Sequence, residues 1–283
     1  LTPHSLFMKS HIVAFLTFAS TCAISQAALV GYWNMDETSG NLADSSGNGL
    51  TGTRLSAGAG SVYGLATVAP GTYGALTVSS SVTSHFETSI DMAVNTGNNR
   101  SNYTLGTPAA IGNLISATGG GTGTFTLMAW INLDNTSGTQ RIFGTGVGGD
   151  SGWAFGTSGS TLRFTTNGKA DNNAPTAAGL SAGTWAHIAM AYNDNTVEFF
   201  VNGNSLGVDS NAGGFNEETA NNYRFAATTN GGEQFTGEMD ELKIYDTALT
   251  ASEIQAAAVE IPEPSSAVLL GLGGLALMLR RRK

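Results

Sequence analysis

The stretch that decides the fold is WAHIAMAYNDNTVEFFVNG, residues 185–203. Its first eight residues and the later TVEFFV segment are rich in aromatic, β-branched and aliphatic side chains, which favour extended strands. The residues Asn193, Asp194 and Asn195 supply a turn between them, and Asn202-Gly203 supplies a second turn with positive φ. A further short strand is expected at residues 205–208. The stretch therefore predicts consecutive antiparallel strands joined by tight turns.

Composition extends this prediction to the rest of the chain. The 283 residues include 38 glycines, and only 12% of the residues are charged. Glycine, serine, threonine and asparagine favour turns and disfavour helix. The segment FTLMAWINL, residues 125–133, has apolar side chains at both alternating sets of positions, so it predicts a strand covered on both faces. Short strands at this spacing predict an all-β, two-sheet antiparallel sandwich.

A single helix is indicated within the body, at residues 250–258 (TASEIQAAA). Thr250 is suited to cap its first turn, and Glu253 follows three residues later, as in a capping box. We expect this helix to close the domain.

The N-terminal segment has the order of features found in an export signal. Met8 and Lys9 precede an apolar run at residues 12–24, and the small-residue site Ser25-Gln26-Ala27 follows. We therefore assign residues 1–27 to upstream residues and a signal peptide, with cleavage after Ala27; a buried N-terminal helix is the alternative. Since Cys22 lies in this segment, the mature body contains no cysteine and no disulfide.

The body is strongly acidic. Residues 28–258 contain 19 acidic and 7 basic side chains, a net charge of 7 − 19 = −12. Nucleic-acid binding depends largely on lysine and arginine at phosphates, so this balance argues against a nucleic-acid partner. It is compatible with calcium binding, with carbohydrate binding or with a role in solubility alone.

The C-terminal tail, residues 261–283, has three parts: a Pro-Glu-Pro motif, an apolar run and a basic end. The apolar run at residues 267–279 would span about 20 Å as a helix, which is short for a bilayer core of about 30 Å. The terminal cations would resist translocation and hold this end at the cytoplasmic side. An exported body with a retained tail follows.

These residues resemble the PEP-CTERM sorting signal of Gram-negative bacteria. The sorting residues are Pro262, Glu263, Pro264, Arg280, Arg281 and Arg282. The resemblance implies a linker at residues 259–264, a short hydrophobic helix within residues 265–283 and a transient membrane anchor. It also implies processing by exosortase and delivery to the cell envelope, the surface or the extracellular matrix. An ordinary C-terminal anchor is the alternative.

The body, residues 28–258, resembles the LamG-like jelly-roll domains of the concanavalin A-like superfamily. The resemblance rests on VGYWNMDETSGNLADSSGNGLTG at residues 30–52, the two strand segments above, TGEMDELKIYD at residues 236–246 and ALTASEI at residues 248–254. It implies that the first and last strands pair, with Tyr32-Trp33 beside residues 242–245. It is weakest at residues 55–123, which we interpret as strands with long loops.

The same superfamily includes β-glucanases with an E-x-D-x-x-E pattern, which makes Glu238 and Asp240 the candidates for hydrolysis. Period-two geometry puts both on one face of a strand. Lys243 occupies the third acidic position, and in a regular strand both Lys243 and Glu241 would point to the other face. The catalytic pair is therefore incomplete, so we expect no enzyme and no catalytic residue; a carbohydrate-active enzyme of the same fold is the alternative.

Histidine adds little to an enzymatic interpretation. His85 lies in a serine- and threonine-rich stretch, and we expect His187 to be a packed, hydrogen-bonded strand residue. Zinc lacks the required cysteine or histidine partners.

Calcium is the candidate cofactor. Asp36, Asp44, Asn48 and Asp240 would converge if the terminal strands pair, and they would offer the oxygen ligands that Ca²⁺ prefers. The alternative for Asp44 and Asn48 is a turn in which their side chains bond the local backbone.

Aromatic residues offer one candidate ligand contact. Trp33, Trp130 and Trp185 are expected in the core. Trp153 lies in a glycine-rich stretch, residues 144–159, and we predict that it binds ligand from a loop. Together these features predict an exported, non-enzymatic, surface-sorted protein that binds polysaccharide or matrix partners or is a structural surface component.

Overall fold

The computed structural model describes residues 27–55, 62–79, 86–92, 103–115, 123–145, 152–215, 222–228 and 232–259. The segment up to residue 26, most of the predicted signal peptide, lies outside these residues, as do His85 and the sorting tail with its predicted hydrophobic helix. In chain order the elements are β1 (Leu29–Trp33), β2 (Thr53–Arg54), β3 (Val62–Leu65), β4 (Gly71–Tyr73), β5 (Leu76–Val78), β6 (Ser89–Asp91), β7 (Tyr103–Gly106), α1 (Ala109–Ile115), β8 (Thr124–Leu133), β9 (Thr139–Gly144), β10 (Trp153–Ser158), β11 (Thr161–Thr166), β12 (Ala170–Asn173), β13 (Trp185–Asn193), β14 (Thr196–Val201), β15 (Asn204–Asp209), β16 (Tyr223–Phe225), β17 (Gly237–Tyr245) and α2 (Ala251–Val259).

Two antiparallel sheets form the body, and they confirm the predicted sandwich. The first sheet has the order β15-β14-β13-β8-β17-β6-β3, and β1 also pairs with β17. The second sheet has the order β12-β11-β10-β9-β16-β7-β2. The short hairpin β4–β5 forms a third, two-stranded sheet. In both large sheets, some adjacent strands are far apart in the sequence, so each sheet is assembled from distant parts of the chain.

The first and last strands pair as expected. Tyr32 lies opposite Lys243 and Trp33 lies opposite Leu242 in an antiparallel register. Strand β17 also pairs with β8 and β6, so the last strand of the chain is an internal strand of the first sheet. The first and last strands of the body therefore both belong to the first sheet, and β17 lies in its interior.

The core lies between the two sheets and is rich in aromatic side chains. From β8, Phe125 and alternate residues point into it, and the Phe125 ring lies 4.9 Å from the ring of Trp153. Phe143 and Phe225 of the second sheet meet edge to face at 5.1 Å. Full burial of each large apolar side chain contributes roughly 1.5–3 kcal/mol, so this layer supplies the main stabilisation.

The other face of the first sheet, here called the outer face, is also covered. Met128 packs in a cluster with Ile254 of α2. Trp130 packs in a cluster with Leu76 and Val78 of the β4–β5 hairpin, and its ring lies 5.1 Å from that of Tyr73. The prediction that residues 125–133 form a strand covered on both sides is therefore confirmed.

Helix α2 has the predicted capping box. The Thr250 backbone N–H donates to Glu253 Oε2 at 2.8 Å, and the Glu253 backbone N–H lies 3.4 Å from Thr250 Oγ1. Thr250 therefore precedes the helix as its cap instead of forming its first residue. Helix α1 was not expected; Pro108 at its start is the sequence signal that could have indicated it, because proline fits the first turn of a helix.

We predict that Gly156→Ala strongly destabilises the protein. A Cβ at this position would lie 1.9 Å from the backbone oxygen of Gln140, at an irregularity in the β9–β10 pairing, and backbone cannot move away cheaply. Thermal or denaturant unfolding should show a loss of about 3 kcal/mol or more. The matched control is Gly112→Ala in α1, where a Cβ meets nothing within 4 Å. Equal stability of the two variants would contradict the prediction.

Candidate functional site

The two candidate carboxylates lie together on the outer face of β17. Glu238 pairs with Asn132 and Asp240 pairs with Trp130 on β8, so both occupy the same face, as predicted. Glu238 is half-buried, and its Oε2 accepts a hydrogen bond from Asn132 Nδ2 at 3.1 Å. Asp240 is completely buried. The two carboxylates therefore differ sharply in their access to solvent.

A β-bulge follows Asp240 and changes which side chains share this face. The register with β8 shifts between Asp240 and Lys243, and Glu241 has a φ of 53°, a conformation uncommon outside glycine. Lys243 consequently lies opposite Met128, an outer-face residue. The expectation that Glu241 and Lys243 point away from Asp240 is wrong, because it assumed a regular strand.

Glu241 and Lys243 form a buried ion pair. Lys243 Nζ lies 3.0 Å from Glu241 Oε2, and both side chains are at most 2% exposed. Tyr32 OH donates to Glu241 Oε1 at 2.7 Å. Lys243 Nζ also donates to the carbonyl of Ala257, near the C-terminal end of α2, at 2.9 Å. A cation suits the carbonyl end of a helix, so Lys243 fastens α2 to the sheet.

Asp240 lies beside this pair and favours its neutral form. Burial raises the pKa of Asp240 well above its ordinary range, and the negative charge of Glu241 raises it further. The hydroxyl of Thr67 donates to Asp240 Oδ2. Oδ1 has no hydrogen-bond partner among the described residues. A buried carboxyl with one unsatisfied oxygen is costly when it is charged.

Two further acidic groups have raised pKa values. Burial, and then the charge of Glu241, raise the pKa of Tyr32. Burial raises the pKa of Asp36 to about 6, although the hydrogen bond from the Thr88 backbone N–H, at 2.8 Å, acts in the opposite direction. At neutral pH Tyr32 therefore keeps its proton, whereas Asp36 is mostly ionised and takes up its proton only as the pH falls through about 6.

His187 lies on β13, which pairs with β8 on the edge away from β17. Its side chain packs against Trp130. Its ring centroid lies 5.4 Å from that of Trp130. Burial and the charge of Lys243 lower its pKa to about 3, so the imidazole is neutral. The side chain is packed as expected. However, neither ring nitrogen finds a hydrogen-bond partner within the described part of the chain, which corrects the expected hydrogen bond.

The outer face is closed above these groups. Val68, Leu76, Val78 and Phe86 pack with Trp130 from one side, and Ala258 of α2 joins the same cluster. Trp130 Nε1 donates to the Ala258 carbonyl at 3.0 Å, which holds the helix end in place. Acid and base groups are therefore present, but packed side chains separate Asp240 from any polysaccharide in solvent.

The predicted calcium ligands are used in other ways. Asp44 Oδ1 accepts the backbone N–H groups of Tyr32 at 3.1 Å and Ser46 at 2.9 Å, and Oδ2 accepts that of Leu50 at 2.8 Å. Although burial acts to raise the pKa of Asp44, these hydrogen bonds lower it overall. Asn48 Nδ2 donates to the carbonyls of Leu29 and Val30. Asp44 therefore makes the local turn that the sequence offered as the alternative, whereas Asn48 bonds strand β1, 18 and 19 positions earlier in the chain.

The other two predicted ligands lie on the Tyr32 side of the outer face. Asp36 Oδ2 accepts from Asn34 Nδ2 at 2.7 Å, and Asp240 has the contacts given above. Across the residues that the structure describes, no three histidine, cysteine or acidic side chains are placed to share a metal ion. Asp44 bonds the backbone of the first loop and of β1, and Asn48 bonds that of β1, so these two side chains are used within the protein. Calcium binding by Asp36, Asp44, Asn48 and Asp240 stays a prediction.

Trp153 also departs from the prediction. It begins strand β10 instead of lying in a loop, and its side chain is completely buried between the sheets. Its ring lies 5.8 Å from that of Phe143 and 6.1 Å from that of Tyr223. An indole in this position contacts core residues, so the expected exposed ring for ligand binding is corrected.

A cleft of about 560 Å³ opens beside the start of β1. Among its lining residues are Ala28, Asn48, Ala110, Thr124 and Asp246. These come from both ends of the body, from α1 and from the start of β8, so no local sequence pattern could indicate the cleft. Its volume lies within the range of small-molecule sites.

Solved structures of other proteins share this fold. Domain 4 of AbnA, a GH43 extracellular arabinanase from Geobacillus stearothermophilus solved in complex with arabinotriose, has a TM-score of 0.55 at 19% identity, over 82% of this chain and 98% of that domain. The binding domain of Paraclostridial Mosquitocidal Protein 1 has a TM-score of 0.54 at 18% identity over 81% of this chain. The binding domain of botulinum neurotoxin DC, in complex with rat synaptotagmin II, has a TM-score of 0.54 at 13% identity over 81% of this chain. The match spans about half of each toxin chain, 51% and 50%.

Two family models match the chain. The PEP-CTERM protein-sorting motif matches residues 260–283, which indicates an exported protein sorted to the cell envelope. Among the described residues, no helix is long and apolar enough to cross a bilayer. The model of the concanavalin A-like lectin/glucanases superfamily matches residues 107–255, more than half of the chain. The chain therefore belongs to the concanavalin A-like lectin/glucanases superfamily.

Proposed function

We propose that this protein is a surface-sorted binding module that holds a glycan or matrix partner without hydrolysing it. The observation that carries the proposal is the closure of the outer face: the hairpin β4–β5 and the end of α2 pack over the strand that bears Glu238 and Asp240. A retaining glycosidase needs two carboxyl groups about 5 Å apart on either side of a bound sugar. Here one of the two is buried and the space above it is filled.

The fold relatives support binding as the role of such a sandwich. The domain of the arabinanase was solved with arabinotriose, and the two toxin domains are named as binding domains. We place the ligand in the cleft beside β1, because it is open and lined both by apolar residues and by the polar side chains of Asn48, Thr124 and Asp246. The sorting motif would put this surface outside the cell, and we propose exosortase as the processing partner.

The first test compares binding with turnover. Purified protein, incubated with laminarin, xylan, agarose and arabinan, should release no reducing sugar above the level of a Glu238→Gln, Asp240→Asn double variant. The same preparation should bind at least one oligosaccharide on a glycan array that includes arabinotriose. A parallel array with chelator tests the proposal that the protein binds calcium. Turnover that disappears in a folded double variant would establish the alternative, a carbohydrate-active enzyme.

The second test locates the ligand. Ala110→Trp should weaken oligosaccharide binding at least about tenfold, a change of about 1.4 kcal/mol, because the indole would fill the cleft. The matched control is Ala109→Trp on the same helix, which is exposed and does not line the cleft. Equal affinity of the two variants, measured by calorimetry or on the array, would place the ligand elsewhere.

The third test asks whether Asp240 acts structurally. Because burial raises its pKa in the folded state, the unfolded chain loses this proton first, and stability falls as pH rises above the unfolded pKa of about 3.9. Asp240→Asn stays neutral and can still accept from Thr67. We therefore expect it to raise the melting temperature at pH 7 and to have a smaller effect at pH 4.

The matched control for this substitution is Glu238→Gln, two residues away on the same face and only half-buried. It should change the melting temperature less than Asp240→Asn does. An Asp240→Asn protein that is less stable than the original at pH 7 would show that the ionised carboxylate is required, and the structural account would fail.

The fourth test concerns sorting. Replacing Pro262, Glu263 and Pro264 with alanine should leave the tail intact and the protein in the membrane fraction, because the processing protease would lose its recognition motif. The control replaces the adjacent Ser265 and Ser266 with alanine. Mass spectrometry of the C-terminus measures the outcome, and an intact Lys283 in unaltered, surface-delivered protein would disprove the processing step.

A further inference from the structure

The start of the described body is fastened to the end of β17 by a carboxylate. The backbone nitrogen of Ala28 donates to Asp246 Oδ1 at 2.9 Å. In return, the backbone N–H of Asp246 donates to the Ala28 carbonyl at 3.1 Å. These two bonds extend the β1–β17 pairing by one residue beyond Leu29 and Tyr245. Ala28 is therefore held at a fixed place although it is the second of the described residues.

The atom that Asp246 holds is the atom that export would convert into a charged terminus. The sequence predicts cleavage after Ala27. Hydrolysis adds water across the Ala27–Ala28 peptide bond: Ala27 leaves as the carboxylate end of the leader, and the Ala28 nitrogen gains a proton to become an amine. Near neutral pH that amine binds a further proton, since an α-amino group has a pKa of about 7.7–8.0. An amide with one donor becomes an ammonium with three.

We propose that Asp246 is the receptor for the α-ammonium group that export processing creates at Ala28. The pairing becomes a charge-assisted hydrogen bond, which is shorter and stronger than one from a neutral amide. Of the cleft residues within the described segments, Asp246 is the ionisable one, so the new terminus neutralises the charge on this wall of the cleft. The inference rests on the proposed export and is independent of the proposed glycan binding.

The geometry favours this cleavage position over its neighbours. Adjacent Cα atoms are about 3.8 Å apart, so a terminus at Ala27 or Leu29 would lie one residue away from the carboxylate. The small-residue site Ser25-Gln26-Ala27 and the hydrogen bond from Ala28 to Asp246 are separate observations. The two bonded residues lie 218 positions apart in the sequence. Both indicate the same peptide bond.

The experiment uses protein expressed from the full chain and processed by the cell. Mass spectrometry should find Ala28 as the first residue. Acylation of the α-amine by a limiting reagent at pH 7.5, followed in the same way, should be about two- to fivefold slower than in Asp246→Asn, the range that an exposed ion pair of up to about 1 kcal/mol allows. The matched control is Asp209→Asn, which removes a carboxylate that is half-buried, as Asp246 is, and that accepts the Asn211 backbone N–H at 2.9 Å. Its rate should equal that of the original protein.

A second measurement avoids dependence on the variants' folding. The α-amine of the processed protein should titrate at higher pH when folded than in 8 M urea, because the carboxylate stabilises the ammonium form. Folding stability from this pair is then present below the unfolded pKa and is lost as pH rises through the folded pKa. A first residue other than Ala28 overturns the proposal together with the predicted signal cleavage. A first residue at Ala28, with equal acylation rates or equal titration in the two states, overturns the receptor role alone.

Discussion

The buried ammonium group of Lys243 imposes the constraint on which the outer face depends. A charge removed from water is tolerated only when an opposite charge and hydrogen bonds surround it. Glu241 supplies the charge and the Ala257 carbonyl supplies an acceptor. To place Glu241 there, the backbone adopts a positive φ and the strand bulges, so one compensated cation accounts for both the irregular strand and the position of α2.

The same constraint explains why the two carboxylates that resemble part of a hydrolase motif lie on a covered face of the sheet. A glutamate at position 243 could serve neither as partner of Glu241 nor as donor to a helix carbonyl. With lysine there, the helix end is drawn onto the sheet, and Trp130 holds it through a second carbonyl. Asp240 then becomes part of a second, smaller core, and its raised pKa follows first from this burial and second from the charge of Glu241.

Most of the layer structure could be predicted from the sequence, and the failures have identifiable physical causes. The alternating pattern of side chains in residues 125–133 and 185–201 indicates strands, because successive side chains of a pleated strand point to opposite faces. The bulge at Glu241 could not be predicted, because a bulge is defined by an extra residue relative to the paired strand. The alternation of side chains in one strand does not show where that extra residue lies. Trp153 was misplaced because nearby glycines suggest a loop, whereas Gly156 is required by a close backbone approach within the sheet. The covering hairpin lies in residues 55–123, where the resemblance is weakest, so the accessibility of Asp240 was beyond sequence reasoning.

The pairing of β1 with β17 also constrains the order in which the body can fold. Joining partners 218 positions apart costs roughly 5 kcal/mol in chain entropy from the length of the loop alone. This cost is repaid only when β17 can contact β1, β8 and β6 together. Until the final strand has emerged, the first sheet lacks its central member and the earlier strands form no complete layer. The first sheet can therefore reach its complete pairing only when nearly the whole body of the chain is available to fold.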